Sequence, residues 1–95
     1  MPANNPTTTA CFSIYAPAGP SVLPRVLTIF ARLDVVPARL VSTVGASRAG
    51  ELCIDLQVGG MEPAVREQIA ARLRNVVDVS LVLTSEKDYF PSPEP

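Results

Sequence analysis

Residues 10–34 read ACFSIYAPAGPSVLPRVLTIFARLD, and this stretch decides the fold. Ala10, Phe12, Ile14 and Ala16 alternate with more polar positions, the pattern of a strand with one buried face. The alternation stops at Pro17-Ala18-Gly19-Pro20. Apolar residues then return at Val22, Leu23, Val26, Leu27, Ile29 and Phe30, with the 3.6-residue period of a helix. A strand therefore feeds a helix through a four-residue turn. Pro24 belongs in the first helical turn, where N–H groups lack partners anyway, so the helix starts near Ser21, a usable N-cap, and runs to about Leu33. Asp34 takes the exit, a place where Gly is preferred and Asp is tolerated.

Working outward, Val35–Ala46 reads as a second strand. Pro37 near its start cannot donate a ladder hydrogen bond, which favours a sheet edge. Ser47-Arg48-Ala49-Gly50 forms a hairpin loop with Gly50 at positive φ. Glu51–Val58 alternates Leu52, Ile54, Leu56 and Val58 against Glu51, Cys53, Asp55 and Gln57, a strand buried on one face only. Gly59-Gly60 ends it. A second helix begins around Glu62-Pro63, with Val65, Ile69, Ala70 and Leu73 on one face, and stops near Asn75. Val76–Thr84 reads as a fourth strand, with Val77, Val79, Leu81 and Leu83 on one side. Residues 1–8 read as a flexible lead, 9–84 as the folded domain, and 85–95 as a charged, proline-rich tail that does not continue the sheet. Within that tail, Tyr89 and Phe90 are candidates for docking on a partner or on the sheet.

Bulk composition narrows the function. The 95 residues are 47% hydrophobic, enough for one small folded domain. A formal charge of −1, with scattered Lys and Arg, gives no general attraction to nucleic acid or anionic lipid. No apolar run approaches the roughly 20 residues of a membrane helix, and the first residues lack a secretory pattern, so the expected address is the cytoplasm. The chain has no histidine, which removes the commonest general base and most metal sites. No catalytic residue, metal site or cofactor is expected.

The order β-α-β-β-α-β with right-handed crossovers gives an α+β, ferredoxin-like fold: a four-stranded antiparallel sheet with both helices on one face. Ser13, Tyr15, Val41, Thr43, Cys53, Asp55, Ser80 and Val82 are expected on the open face. The second strand is a free edge carrying Arg39 as its one charge, and such an edge usually pairs with something. Leu40, Val41, Ser42 and Thr43 are therefore the expected dimer contact. Cys11 and Cys53 share the open face and could approach one another, but two thiols with no histidine make a poor metal site. Asp55 and Glu51 share that face without forming an acid/base pair. Gly59-Gly60 lacks the lysine of a phosphate loop. Heavy-metal domains of this topology need paired cysteines where this chain has PAGP, and RNA-binding relatives need aromatics where it has Cys53 and Asp55. An acylphosphatase-like hydrolase would need an arginine in that first loop.

Taken together, these residues resemble the ACT domain, the small-molecule-sensing module of amino-acid metabolism. The nearer resemblance is to the short small (regulatory) subunit of acetolactate (acetohydroxyacid) synthase. Leu23-Pro24-Arg25-Val26-Leu27-Thr28-Ile29-Phe30 is similar to that family's first-helix pattern L-x-R-V-x-x-x-F. Leu52–Val58 is similar to its third strand, and Leu73-Arg74-Asn75-Val76-Val77-Asp78-Val79 to its L-x-K-L-V-D-V. The resemblance implies a non-catalytic subunit in branched-chain amino-acid biosynthesis. It implies a homodimer through ACT domains and a catalytic large subunit that holds thiamine diphosphate, Mg²⁺ and FAD. An alternative is a stand-alone ACT-type module that senses amino acids or interacts with another enzyme.

The resemblance also locates an effector loop at Ala18, Gly19, Pro20, Ser21 and Val22. Valine-responsive members carry Asn or Asp at the position of Ala18, to bind the ammonium, and Gly at the position of Ser21, to admit the carboxylate. Ala18 offers no side-chain partner and Ser21 narrows the approach. A buried ammonium without its partner loses about 1–3 kcal/mol. Weak or absent valine sensitivity follows.

Overall fold

A computed structural model describes residues 8–88, and the expectations for residues 1–7 and 89–95, including docking by Tyr89 and Phe90, lie outside it. The elements are β1 (Thr8–Pro17), α1 (Val22–Arg32), β2 (Arg39–Val44), β3 (Glu51–Gly59), α2 (Pro63–Arg74) and β4 (Leu81–Asp88). The four strands form one antiparallel sheet in the order β2-β3-β1-β4. This is the ferredoxin-like βαββαβ arrangement.

Alternation in β1 and β3 builds the core. Phe12, Ile14, Ile54 and Leu56 lie under the helices with Val22, Val26 and Phe30 of α1 and with Ile69 and Leu73 of α2, all fully buried. Each such side chain contributes about 1.5–3 kcal/mol of burial free energy. Phe12 and Phe30 meet edge to face, with centroids 5.6 Å apart, and fix α1 over the centre of the sheet. Asp34 reverses the chain after α1 at φ 59°, and its N–H donates to the Ala31 carbonyl. Gly50 closes the β2–β3 hairpin at φ 74°, as the turn requires. Among the described residues no helix is long and apolar enough to cross a membrane.

The structure corrects four expectations. The strand expected over Val35–Ala46 is confined to Arg39–Val44, because Val35–Ala38 is used to turn the chain from α1 onto the sheet. The strand expected over Val76–Thr84 begins only at Leu81. Val76 and Val79 donate to Leu73 and Val76 carbonyls, and Asp78 sits at φ 77°, so the alternating valines lie in turns. The face assignment is thereby reversed: Val82 is buried in the core, whereas Leu81 and Leu83 are about half exposed on the open face and Val77 is exposed in the turn. β4 also runs on through Ser85-Glu86-Lys87-Asp88 to pair with Thr8–Cys11. Charged residues are compatible with an edge strand exposed to solvent. Arg66 of α2 holds this segment through an ion pair with Glu86.

Candidate functional site

Three places could carry function: the turn before α1, the free edge of β2, and the open face of the sheet.

The turn keeps its scaffold but has spent part of its hydrogen-bonding capacity. Ala18 is exposed, and its N–H donates to the Gly50 carbonyl at 2.9 Å. Gly19 accepts from the Val22 N–H at 3.4 Å, and Pro20 is exposed with no N–H to offer. Ser21 occupies the N-cap at φ −90°, ψ −11°, with no capping hydrogen bond from its side chain. Val22 is buried in the core. Pro24 carries no N–H, so Ser21 and Leu23 are the first-turn donors left without a partner among the described residues. An anion site at a helix start relies on several convergent N–H groups, and half of them are missing here. The adjacent hollow, about 240 Å³, is lined by Pro17, Arg48, Gly50, Glu51 and Ser80 and by none of Ala18–Val22. A cavity of about 460 Å³ opens at the opposite end of the domain, around Val36, Met61 and Val65.

The second place is the edge. Every residue of β2 is exposed, including Leu40, Val41, Ser42 and Thr43. The parity of its ladder follows from Gly45, whose N–H donates to the Glu51 carbonyl at 2.8 Å. Bonding alternates along an antiparallel pair, so Thr43 and Val41 direct their backbone groups at β3. Leu40, Ser42 and Val44 direct theirs outward. At the start of the strand Ala38 also donates to the Gln57 carbonyl, the register partner of Arg39, which makes a bulge there.

On the open face, the register sets Val41, Asp55, Ser13 and Leu83 in one row, with Thr43, Cys53, Tyr15 and Leu81 in the next. Ser13 Oγ donates to Asp55 Oδ1 at 2.8 Å, and Cys53 Sγ lies 3.7 Å from Asp55 Oδ2. Burial, and then the Asp55 charge, push the Cys53 thiol above its ordinary value; the neighbouring Cys53 does the same to Tyr15. A thiol held protonated is a poor nucleophile. Cys11 lies opposite Gln57, whereas Cys53 lies opposite Tyr15. Four register steps, roughly 13 Å of strand, separate the two cysteines, so the expected approach between them does not occur. Among the described residues no group of three His, Cys, Asp or Glu is placed to hold a metal.

The family model of the ACT-like domain matches residues 3–89. The chain belongs to the ACT-like domain family. ACT domains are typically regulatory and non-catalytic modules, associated with amino-acid sensing. The fold of this ACT-like domain is similar to that of the ACT domain from GTP pyrophosphokinase of Chlorobium tepidum. The crystal structure of that domain superposes with a TM-score of 0.68 at 14% identity, over 81% of this chain and 96% of that one. Its solution structure gives 0.67 at 14% identity, over 81% and 84%. The C-terminal domain of the MgtC protein from Mycobacterium tuberculosis superposes with a TM-score of 0.66 at 12% identity, over 88% and 92%. No curated protein sequence matches the chain.

Sequence reasoning missed one grouping. Arg39, Asp55 and Gln57 line a hollow of about 300 Å³ on the open face of the ACT-like domain. Alternation places Asp55 and Gln57 on one side of β3. Only the strand register brings Arg39 beside them.

Proposed function

We propose that this chain is a non-catalytic regulatory or stabilising subunit that pairs through β2 and docks on a larger enzyme in the cytoplasm. In its finer form the partner is the thiamine-diphosphate-dependent large subunit of acetolactate synthase, and thiamine diphosphate, Mg²⁺ and FAD belong to that partner. The observation that carries the reading is an almost uncharged β2 edge, exposed along its length, in an ACT-like sheet, with Leu40, Ser42 and Val44 presenting unpaired backbone groups outward. Antiparallel pairing of two copies about Ser42 would set Leu40 of one against Val44 of the other and satisfy those groups on both. The motif resemblance around Leu23–Phe30 and Leu73–Val79 supports the choice of partner. The spent donors of the first loop, together with Ala18 and Ser21, support weak or absent sensitivity to valine.

The test is copurification with the large subunit from the same cell, followed by synthase assays with and without the chain and with and without valine. Stable association, higher activity or stability of the large subunit and little response to valine are expected. No association and unchanged activity would remove the synthase assignment. A rise in melting temperature with one amino acid, in the absence of any large subunit, would favour the stand-alone sensing module.

A further inference from the structure

We propose that the groove between the end of α1 and the start of α2 receives an apolar helix of a partner protein, with a cation at each end of its apolar stripe. Two hollows make the groove. One, about 460 Å³, is lined by Val58, Met61, Glu62 and Val65. The other, about 370 Å³, is lined by Leu27, Phe30, Ala31 and Asp34. Val35 and Val36 line both, so the hollows adjoin. Val36 stands between them 84% exposed, the most exposed large apolar side chain among the described residues. Its backbone is tied on either side: the Val35 N–H donates to the Phe30 carbonyl at 2.9 Å, and the Ala38 N–H to the Gln57 carbonyl at 2.8 Å. A single exposed valine is ordinary, but one held as a knob between two apolar hollows is a shape ready for a partner.

Charge identifies the occupant. Each hollow holds one carboxylate, Asp34 or Glu62, and no Lys or Arg lines either. The ion pairs among the described residues are those of Arg66 with Glu67 and Glu86, and Glu62 makes no side-chain capping bond at α2. Both carboxylates therefore remain available, and an occupant complements them with a cation at each end. β3 is paired on both sides, so the groove offers no open ladder to a strand. A helix arrives with its backbone bonds already made, and its apolar residues at i, i+3, i+4 and i+7 form the row that two adjoining hollows need. Each hollow is of a size to take one apolar anchor, and buried anchors dominate docking interfaces. The inference rests on the reading that the chain docks on a larger protein. It rests neither on pairing through β2 nor on the choice of the synthase.

The experiment is an amide-resolved NMR titration of the full chain with a synthetic helical peptide that has leucines at i, i+3, i+4 and i+7 and lysines at both ends. A second peptide replaces the lysines by glutamates. The same titrations are run on Val36→Ser, Asp34→Asn and Glu62→Gln. Val36 is exposed, Asn tolerates the positive φ of Asp34, and the Glu62 side chain caps nothing, so the fold should hold in all three. Peptide at about 1 mM reaches a Kd of order 100 μM. The expected result is saturable shifts at Leu27, Val36, Met61 and Val65 with the lysine peptide. Affinity should fall about tenfold for the glutamate peptide and for Val36→Ser, and about twofold to fivefold for each lost carboxylate. No saturable shift, shifts confined to the open sheet face, equal affinity for the two peptides, or affinity unchanged in Val36→Ser would each overturn the proposal. Binding that appears only after removal of residues 89–95 would give the groove to the chain's own tail, and self-association lost in Val36→Ser would give it to a second copy; either also overturns it. Copurification tests the synthase separately: its failure leaves the titration standing, and a failed titration leaves copurification standing.

Discussion

The Ala18 N–H donates to the Gly50 carbonyl at 2.9 Å, which ties the turn before α1 to the hairpin between β2 and β3. That bond occupies a backbone donor of the turn and leaves Ala18 only a methyl group to show to solvent. The loop is thus well positioned and poorly equipped for ligand binding. The double substitution Ala18→Asn with Ser21→Gly supplies an amide for an ammonium and opens the approach to the free Leu23 N–H. We expect it to create measurable valine binding by calorimetry, about tenfold or more above the unsubstituted chain, in line with about 1–3 kcal/mol for a restored polar partner. Equal binding by both proteins would show that these positions do not limit recognition.

Val82 and Leu83 are neighbours with opposite environments: 3% exposed in the core and 50% exposed on the open face. Val82→Ala should cost about 2 kcal/mol, from lost burial and the cavity left behind. Leu83→Ser should stay within about 0.5 kcal/mol. Urea unfolding of the two variants checks this. A larger loss for Leu83→Ser would mean that the strand is shifted by one residue.

The same pair shows where the sequence was legible and where it was not. β1, β3 and both helices were readable because their periods are unbroken, from Phe12-Ile14-Ala16 to Ile69-Ala70-Leu73. β4 was misread because Val77, Val79, Leu81 and Leu83 alternate as a strand would, while Asp78 turns the backbone at φ 77° in the middle of the run. Once the chain is extended again at Leu81, the parity has changed and Val82 faces inward. Asp is among the few non-glycine residues that tolerate this conformation, but its presence alone does not announce it. The candidate sites divide in the same way. The turn and the free edge follow from local pattern, whereas the Arg39–Asp55 hollow depends on register between strands.

Alkaline pH should weaken the fold. The Cys53 thiol and the Tyr15 hydroxyl are both raised in the folded state, Cys53 chiefly by burial and Tyr15 chiefly by Cys53. Each binds its proton more tightly folded than unfolded. Their contribution is fully present below the ordinary thiol value of 9.0 and is lost as pH rises through the raised folded values. Denaturation midpoints measured from neutral to strongly alkaline pH should fall above that value for the unsubstituted chain, with a shallower fall for Cys53→Ser. Identical profiles would show that the open-face thiol does not contribute to stability.

One substitution isolates pairing through β2. The Ser42 N–H points away from β3, so Ser42→Pro removes an outward donor and leaves the β2–β3 ladder in place. Sedimentation equilibrium of the full chain and of Ser42→Pro, with circular dichroism as the check on fold, is the direct measurement. The predicted result is a dimer for the full chain and a folded monomer for Ser42→Pro. A full chain that sediments as a monomer, or a Ser42→Pro variant that remains dimeric, would contradict it.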